Sequence, residues 1–263
     1  MSQTHHTSSD YGPRHAYEVI NATGKADIVF ICEHASNYIP PEYENLGLDE
    51  DFLAQHIAWD IGMEQLTRHL AERLDAPAII ATFSRLLIDP NREEDHATLI
   101  PLTSDGISIP GNQNMSPAEI DRRRTRYYQA FHDRADEMVQ AKIATNHAPL
   151  VCGMHSFTPQ MGGFDRPWQA GMLWNKDPRL AQALINSLSA RGFQVGDNEP
   201  YSGRDLFFTM NQHGDRHGTP HVTLEIRQDE VGTPVGIVKW ADILVEDLTA
   251  IAQDTDVRAI KRF

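Results

Sequence analysis

Val151-Cys152-Gly153-Met154-His155-Ser156-Phe157-Thr158-Pro159 decides how this chain is read. The run Pro149-Leu150-Val151-Cys152 is short, apolar and strand-like; it stops at Gly153 and delivers a histidine among polar neighbours. A side chain at the end of a buried strand is held by the sheet and faces the crevice beyond the strand ends. The pattern recurs. Ile28-Val29-Phe30-Ile31-Cys32 runs into Glu33-His34-Ala35-Ser36-Asn37, and Val222-Thr223-Leu224 runs into Glu225-Ile226-Arg227-Gln228-Asp229. Two histidines and a glutamate, each expected at a strand end, are the donor types and the general base of a metal-dependent hydrolase.

Outward from these three runs, strands alternate with helices. Strands are expected at 17–20, 27–32, 78–82, 170–174 and 193–195. Helices are expected from Asp49 to Leu74, Ser116 to Ala144, Pro178 to Ala190 and Pro234 to Ala252. Ser116-Pro117-Ala118-Glu119 is a helix start, with Ser as N-cap, Pro at N1 and Glu at N3. The alternation predicts an α/β fold in three layers, a mostly parallel or mixed sheet with helices on both faces. No repeat or linker divides it, so a tail at 1–15 and one domain at 16–263 are expected. Two long segments, 95–115 and 197–220, carry little periodicity, and loops of that length are more often functional than idle.

Composition excludes several classes of partner. The 263 residues are 40% hydrophobic and 23% charged, with a net charge of -14. A nucleic-acid partner requires clustered Lys and Arg, and the densest basic run, Arg122-Arg123-Arg124, falls in a predicted helix. No stretch approaches the ~20 apolar residues that span a bilayer. The N-terminus is polar, without the apolar core of a signal peptide, so a cytoplasmic protein is expected. Cys32 and Cys152 read as small buried hydrophobes of a reducing compartment, bridged only if their strands are neighbours.

Other residues gather around the three runs. His56 and Asp60 lie four apart in the expected 49–74 helix and would share a face. A buried His–Asp bond is the plain reading of that pair, and a third metal ligand or a supporting carboxylate the sharper one. Ser84-Arg85-Leu86-Leu87-Ile88-Asp89-Pro90-Asn91-Arg92-Glu93 supplies two arginines and an asparagine, groups suited to a substrate carboxylate, or else a surface ion-pair cluster. His132 is expected on the surface of its helix. His213 and His217 fall in a Gly-rich loop that could cover or support the site. No GxSxG nucleophile motif is present.

Six motifs, taken in order, resemble the N-formylglutamate amidohydrolases: Cys-Glu-His-Ala-Ser-Asn at 32–37, His-Ile-Ala-Trp-Asp-Ile-Gly at 56–62, Ser-Arg-Leu-Leu-Ile-Asp-Pro-Asn-Arg at 84–92, Met-His-Ser-Phe-Thr-Pro at 154–159, Asn-Glu-Pro-Tyr-Ser at 198–202 and Leu-Glu-Ile-Arg-Gln-Asp at 224–229. The resemblance implies a zinc-exopeptidase-like (phosphorylase/hydrolase-like) fold and hydrolysis of the amide of N-formyl-L-glutamate, or of another N-acyl amino acid, at the end of a histidine breakdown route. A more distant similarity to aspartoacylases and succinylglutamate desuccinylases implies roles. His34 and His155 would hold one Zn2+ and Glu225 would be the general base. Asn37 stands where those enzymes carry a glutamate ligand, which leaves the third ligand open among Asp60, Glu33 and Asn37. Arg85 would stabilise the oxyanion. Asn91 and Arg92 would hold one substrate carboxylate and Arg227 or Arg204 the second, with Tyr201 and Ser156 as further substrate contacts. The implied partner is a small-molecule N-acyl amino acid, with neither nucleic acid nor membrane.

Overall fold

The computed structural model describes residues 15–145 and 148–263. All but the last residue of the expected N-terminal tail lies outside them. The chain begins with β1 (Tyr17–Ile20) and β2 (Ile28–Cys32), passes α1 (Glu50–Leu53) and α2 (Met63–Arg73), and forms β3 (Ala78–Ala81). A small hairpin follows, β4 (Thr103–Ser104) and β5 (Ile107–Ser108), then α3 (Pro117–Arg123) and α4 (Ala130–Ile143), joined by a π-helical stretch at Arg124–Gln129. Next come β6 (Leu150–Phe157), a second hairpin of β7 (Gln160–Met161) and β8 (Phe164–Asp165), then β9 (Ala170–Leu173), α5 (Arg179–Ala190) and β10 (Val195–Asp197). The last elements are α6 (Phe208–His213), β11 (His221–Arg227), α7 (Gln228–Val231) and α8 (Pro234–Ile251).

Seven strands form the central sheet in the order β1-β3-β2-β6-β11-β9-β10. The three contacts joining β3, β2, β6 and β11 are parallel; β1 and β9 run antiparallel to their inner neighbours β3 and β11. The sheet is therefore mixed. The four inner strands are buried on both faces, which is why they read as continuous apolar runs. Strand alternation divides the core in two. Ile28, Phe30, Ile80, Cys152, Met154, Met172, Leu224 and Ile226 pack beneath α2, α5 and α8. Val29, Ile31, Ile79, Val151 and Leu173 pack with Tyr127, Phe131, Ala135 and Met138 on the opposite face.

Three expectations from the sequence need correction. The strand expected to stop at Gly153 continues to Phe157, so His155 lies inside β6 and not beyond it. The Asp49–Leu74 helix is two helices separated by the 54–62 turn. Gly62 sets the break: its φ is +85° and a Cβ there would lie 2.4 Å from Val231 O. His56 and Asp60 therefore share no helix face, and the ion-pair partner of His56 is Asp105, at 3.6 Å. Thirdly, His132 is partly buried, donating or accepting through both ring nitrogens. The cysteines sit on neighbouring strands but unbridged. Phe30 is level with Cys152 across β2 and β6, so Cys32 is two residues out of register and approaches Met154 O instead.

Candidate active site

Strand register brings the first functional pair together. Glu225 in β11 is the Cα partner of His155 in the adjacent parallel β6, so both side chains leave the same face of the sheet side by side. Gly153 and Thr223, one pair earlier, keep that face low: a Cβ on Gly153 would already lie 3.3 Å from the Met210 and Thr223 side chains. On the other side of β6, β2 ends at Cys32 and the turn after it delivers Glu33 and His34. The 54–62 turn supplies Asp60. Its backbone is fixed where it is needed, because Asp60 N donates to His34 O at 2.8 Å and Ser84 Oγ donates to Ala58 O at 2.8 Å.

Four carboxylates and two imidazoles result, all buried. His34 and His155 meet edge to face, with ring centroids 5.0 Å apart. Asp60 lies between them: Oδ2 is 2.9 Å from His155 Nδ1 and 3.6 Å from His34 Nδ1. The far nitrogen of each ring has its own carboxylate. His34 Nε2 is 2.7 Å from Asp89 Oδ1, and His155 Nε2 is 3.1 Å from Glu33 Oε1. Arg85 closes the cluster, reaching Asp60 Oδ1 at 3.2 Å and Asp89 Oδ2 at 3.3 Å. Ser156 N donates to Asp60 Oδ2 at 3.3 Å.

The electrostatics follow from that crowding. Burial alone would raise every carboxyl here. At Glu33 the charges of His155 and His34 overcome burial and bring the pKa down to about 2. Asp60 and Asp89 are likewise held below the usual carboxylate range against burial, first by the charge of His34. His155 is raised well above an ordinary histidine: burial opposes its charge, but Glu33 and Asp60 more than compensate. Glu225 differs. Burial raises it to about 7, the neighbouring Asp60 adds to this, and the charge of His155 offsets only part. A buried carboxyl poised near 7 beside a cluster of opposite design has the properties of a general base.

The same atoms fit a divalent metal. His34, Asp60 and His155 each offer a ligand atom, and these lie within 4.8 Å of one another. His34 Nδ1 is buried with no hydrogen-bond partner while its Nε2 is engaged by Asp89. A metal-binding imidazole needs that placement, one nitrogen against a carboxylate and the other unengaged and turned inward. Two imidazoles and one carboxylate are the three protein donors of a hydrolytic zinc site with an open position.

The cluster forms the floor of a cleft of about 380 Å³, at the small end of the range for ligand pockets. Arg85, Asn91, Arg92, Ser156, Tyr201 and Glu225 all line it. Asn91 is fixed by Thr209, whose N–H and hydroxyl donate to Asn91 Oδ1 at 3.2 and 3.0 Å. Arg166 donates to Tyr201 Oη at 3.0 Å. Of the residues named from the sequence, Glu33, Asn37, Arg227 and Arg204 lie outside the cleft lining, as do His213 and His217. Glu33 backs His155. Asn37 spends its amide on Leu53 O at 2.8 Å. Arg227 is held by Asp229 at 2.7 Å and by the carbonyls of Arg166 to Trp168, and Arg204 lies 5.7 Å over the Trp174 ring. Asp89, which holds His34 and Arg85, is the member of the cluster that sequence reasoning misses; its signal is its place in Asp89-Pro90-Asn91-Arg92.

The model of a family described as N-formylglutamate amidohydrolase matches residues 26–231. The crystal structure of a gene product of Agrobacterium tumefaciens is 34% identical, superimposes with a TM-score of 0.89, and covers 92% of this chain and 97% of its own. That of an N-formylglutamate amidohydrolase from Ralstonia eutropha is 18% identical with a TM-score of 0.61, covering 90% of this chain and 97% of its own. At that identity the second likeness speaks to the fold alone. No curated protein sequence matches this chain.

Proposed function

The chain belongs to the N-formylglutamate amidohydrolase family, and from that premise we propose that it is a zinc-dependent amidohydrolase cleaving the formamide of an N-formyl amino acid, N-formyl-L-glutamate first, to formate and the free amino acid. The observation that carries the reading is the pairing of Glu225, raised to about 7 by burial, with the buried His34–Asp60–His155 donor set one strand away. Zinc held by those three residues would polarise the amide carbonyl and make a water acidic enough to attack at neutral pH. Everything else falls to the chain. Glu225 accepts the proton of the attacking water and delivers it to the leaving nitrogen, so one carboxylate serves as base and then acid. Arg85, held by Asp60 and Asp89, presents its partly exposed guanidinium to the oxyanion as the carbonyl turns tetrahedral. Asn91 and Arg92 receive the substrate α-carboxylate, and the Tyr201 and Ser156 side of the cleft receives the rest.

The same reading takes residues 16–263 as one catalytic domain of zinc-exopeptidase type, acting in the cytoplasm on the last intermediate of histidine breakdown. No described helix is long and apolar enough to cross a membrane. Formate release from N-formyl-L-glutamate is the direct test. Activity should disappear on chelation and return with added zinc. Zinc bound but no formate released would move the substrate to another N-acyl amino acid; formate released equally under chelation would remove the metal.

A further inference from the structure

The segment Asp89-Pro90-Asn91-Arg92 has four anchors, and three of them lie outside the cleft. Asp89 meets His34 and Arg85. Asn91 is held by Thr209 of α6, and Arg92 O accepts from the Tyr128 hydroxyl at 2.8 Å. The fourth anchor is His132 of α4, whose Nε2 lies 2.8 Å from Pro90 O. A carbonyl oxygen only accepts, so His132 Nε2 carries the proton. Its other nitrogen, Nδ1, lies 2.9 Å from Nε2 of His213, the last residue of α6, and the two rings stack with centroids 5.2 Å apart. Burial holds His132 down to about 3, so it is a neutral imidazole with a bare Nδ1, and His213 Nε2 must donate to it. The far nitrogen of His213 is buried without a hydrogen-bond partner, 3.9 Å from Asp136 Oδ1, which His217 Nε2 meets at 2.6 Å. One direction of hydrogen bonding thus runs from α6 through two stacked histidines to the peptide between the residue holding His34 and the residue offered to substrate.

We infer that His132 and His213 are positioning residues: His213 Nε2 holds His132 in its Nε2–H tautomer, and His132 pins Pro90 O and so holds Asp89 against His34 and Asn91 and Arg92 against the substrate. Neither lines the cleft. An aliphatic residue at 132 would fill the space and lose the donor. A glutamine would keep an N–H close to where Nε2 stands. The consequence is graded by which atoms move. Asp89 orients a metal-binding imidazole, and loss of such a partner typically weakens metal affinity about 10- to 100-fold. Asn91 and Arg92 act on binding more than on the chemical step, so KM should rise more than kcat falls.

The inference rests on the metal-amidase reading for its kinetic arm but not for its spectroscopic one. Nitrogen-15 histidine spectra of the wild-type protein should show His132 as the neutral Nε2–H tautomer at neutral pH. The Nδ1–H tautomer, or an imidazolium, overturns the proposal whether or not the protein binds metal. In the zinc-loaded protein, His132→Leu should weaken zinc about tenfold or more against a competing chromophoric chelator and raise KM for N-formyl-L-glutamate about tenfold, with kcat at saturating zinc within about threefold. His132→Gln should restore both. His132→Leu indistinguishable from wild type, a loss confined to kcat, or Gln as impaired as Leu would each overturn it. A wild-type protein that neither binds zinc nor releases formate counts against the proposed function, and the tautomer then decides the inference alone.

Discussion

Glu225 shows how one residue acquires a role from its surroundings. Ordinary glutamate titrates near 4.3; here burial lifts it to about 7, and its Oε2 has no hydrogen-bond partner. Glu33, two strands away and equally buried, is driven to about 2 because histidines face it. The two carboxylates are thereby sorted into one poised near neutrality and one held ionised. Replacing Glu225 by Gln removes the base and keeps the shape, so kcat should fall about 10²- to 10⁴-fold while zinc affinity, measured by competition, is unchanged. A smaller loss would remove Glu225 from proton transfer. The sign of the pH dependence follows. The base must be ionised, so activity is present above its apparent pKa and lost as pH falls through it. A bound dication favours the ionised form, so the acid limb of kcat/KM should lie at or below about 7 and vanish in Glu225→Gln. His34, His155 and Glu225 were legible from their place after apolar runs. That Asp60 joins His34 and His155 was legible only as one of three alternatives, because a carboxylate borne on a turn has no periodicity to announce it.

The turn between α1 and α2 is the element on which the site depends. The apolar positions from Leu53 to Leu74 read as one helix, and Gly62 as a weak point within it. The tertiary structure makes Gly62 the hinge. Its left-handed φ lets the chain pass under Val231 O and turn Asp60 toward His34 and His155. Gly62→Ala should lower stability on the order of 3 kcal/mol in denaturant titration, since a left-handed conformation and a backbone collision act together. It should also weaken zinc, because Asp60 is two residues away. Unchanged stability would mean that the 60–63 backbone relaxes freely. In contrast, α3 begins where its sequence says: Ser116 caps Glu119 N at 3.2 Å with Pro117 in the first turn. A local signal suffices where local hydrogen bonds decide, and fails where a contact 169 residues distant, Gly62 with Val231, decides.

Across the whole molecule, the core holds an assembly of charge that the metal-free protein must balance with protons. Four buried carboxyls surround two imidazoles and one arginine. Glu33 has a folded pKa below its unfolded value, so its contribution is present above about pH 4.5 and lost as pH falls through about 2. His155 has a raised folded value, so its contribution is complete below about 6.5 and is lost as pH climbs from there through the raised folded value. Glu225 acts in the same direction at lower pH, because a raised carboxyl loses stability as pH rises from about 4.5 to about 7. The chelated protein should therefore lose stability as pH rises above about 6.5, measured by denaturant midpoint, and zinc should abolish much of that fall while raising stability throughout. A chelated protein with a flat profile over that range would contradict the charge balance described here.

The sequence by itself determined the α/β class, the order of the main strands and helices, and the residue types that gather at the site. Each of these is written in nearest neighbours: apolar runs, caps, and a polar residue after an apolar run. Only the tertiary structure decided which carboxylate stands between the histidines, which back them, and which arginines face the cleft. Arg85 and Arg227 are alike in sequence, each near the end of an apolar run, yet one bridges Asp60 and Asp89 and the other binds Asp229 and a loop's carbonyls. Strand register and the path of two turns fix those partners. They are set by pairings far apart in the chain, such as Phe30 with Cys152 and Gly62 against Val231, and such distances leave no trace in local pattern.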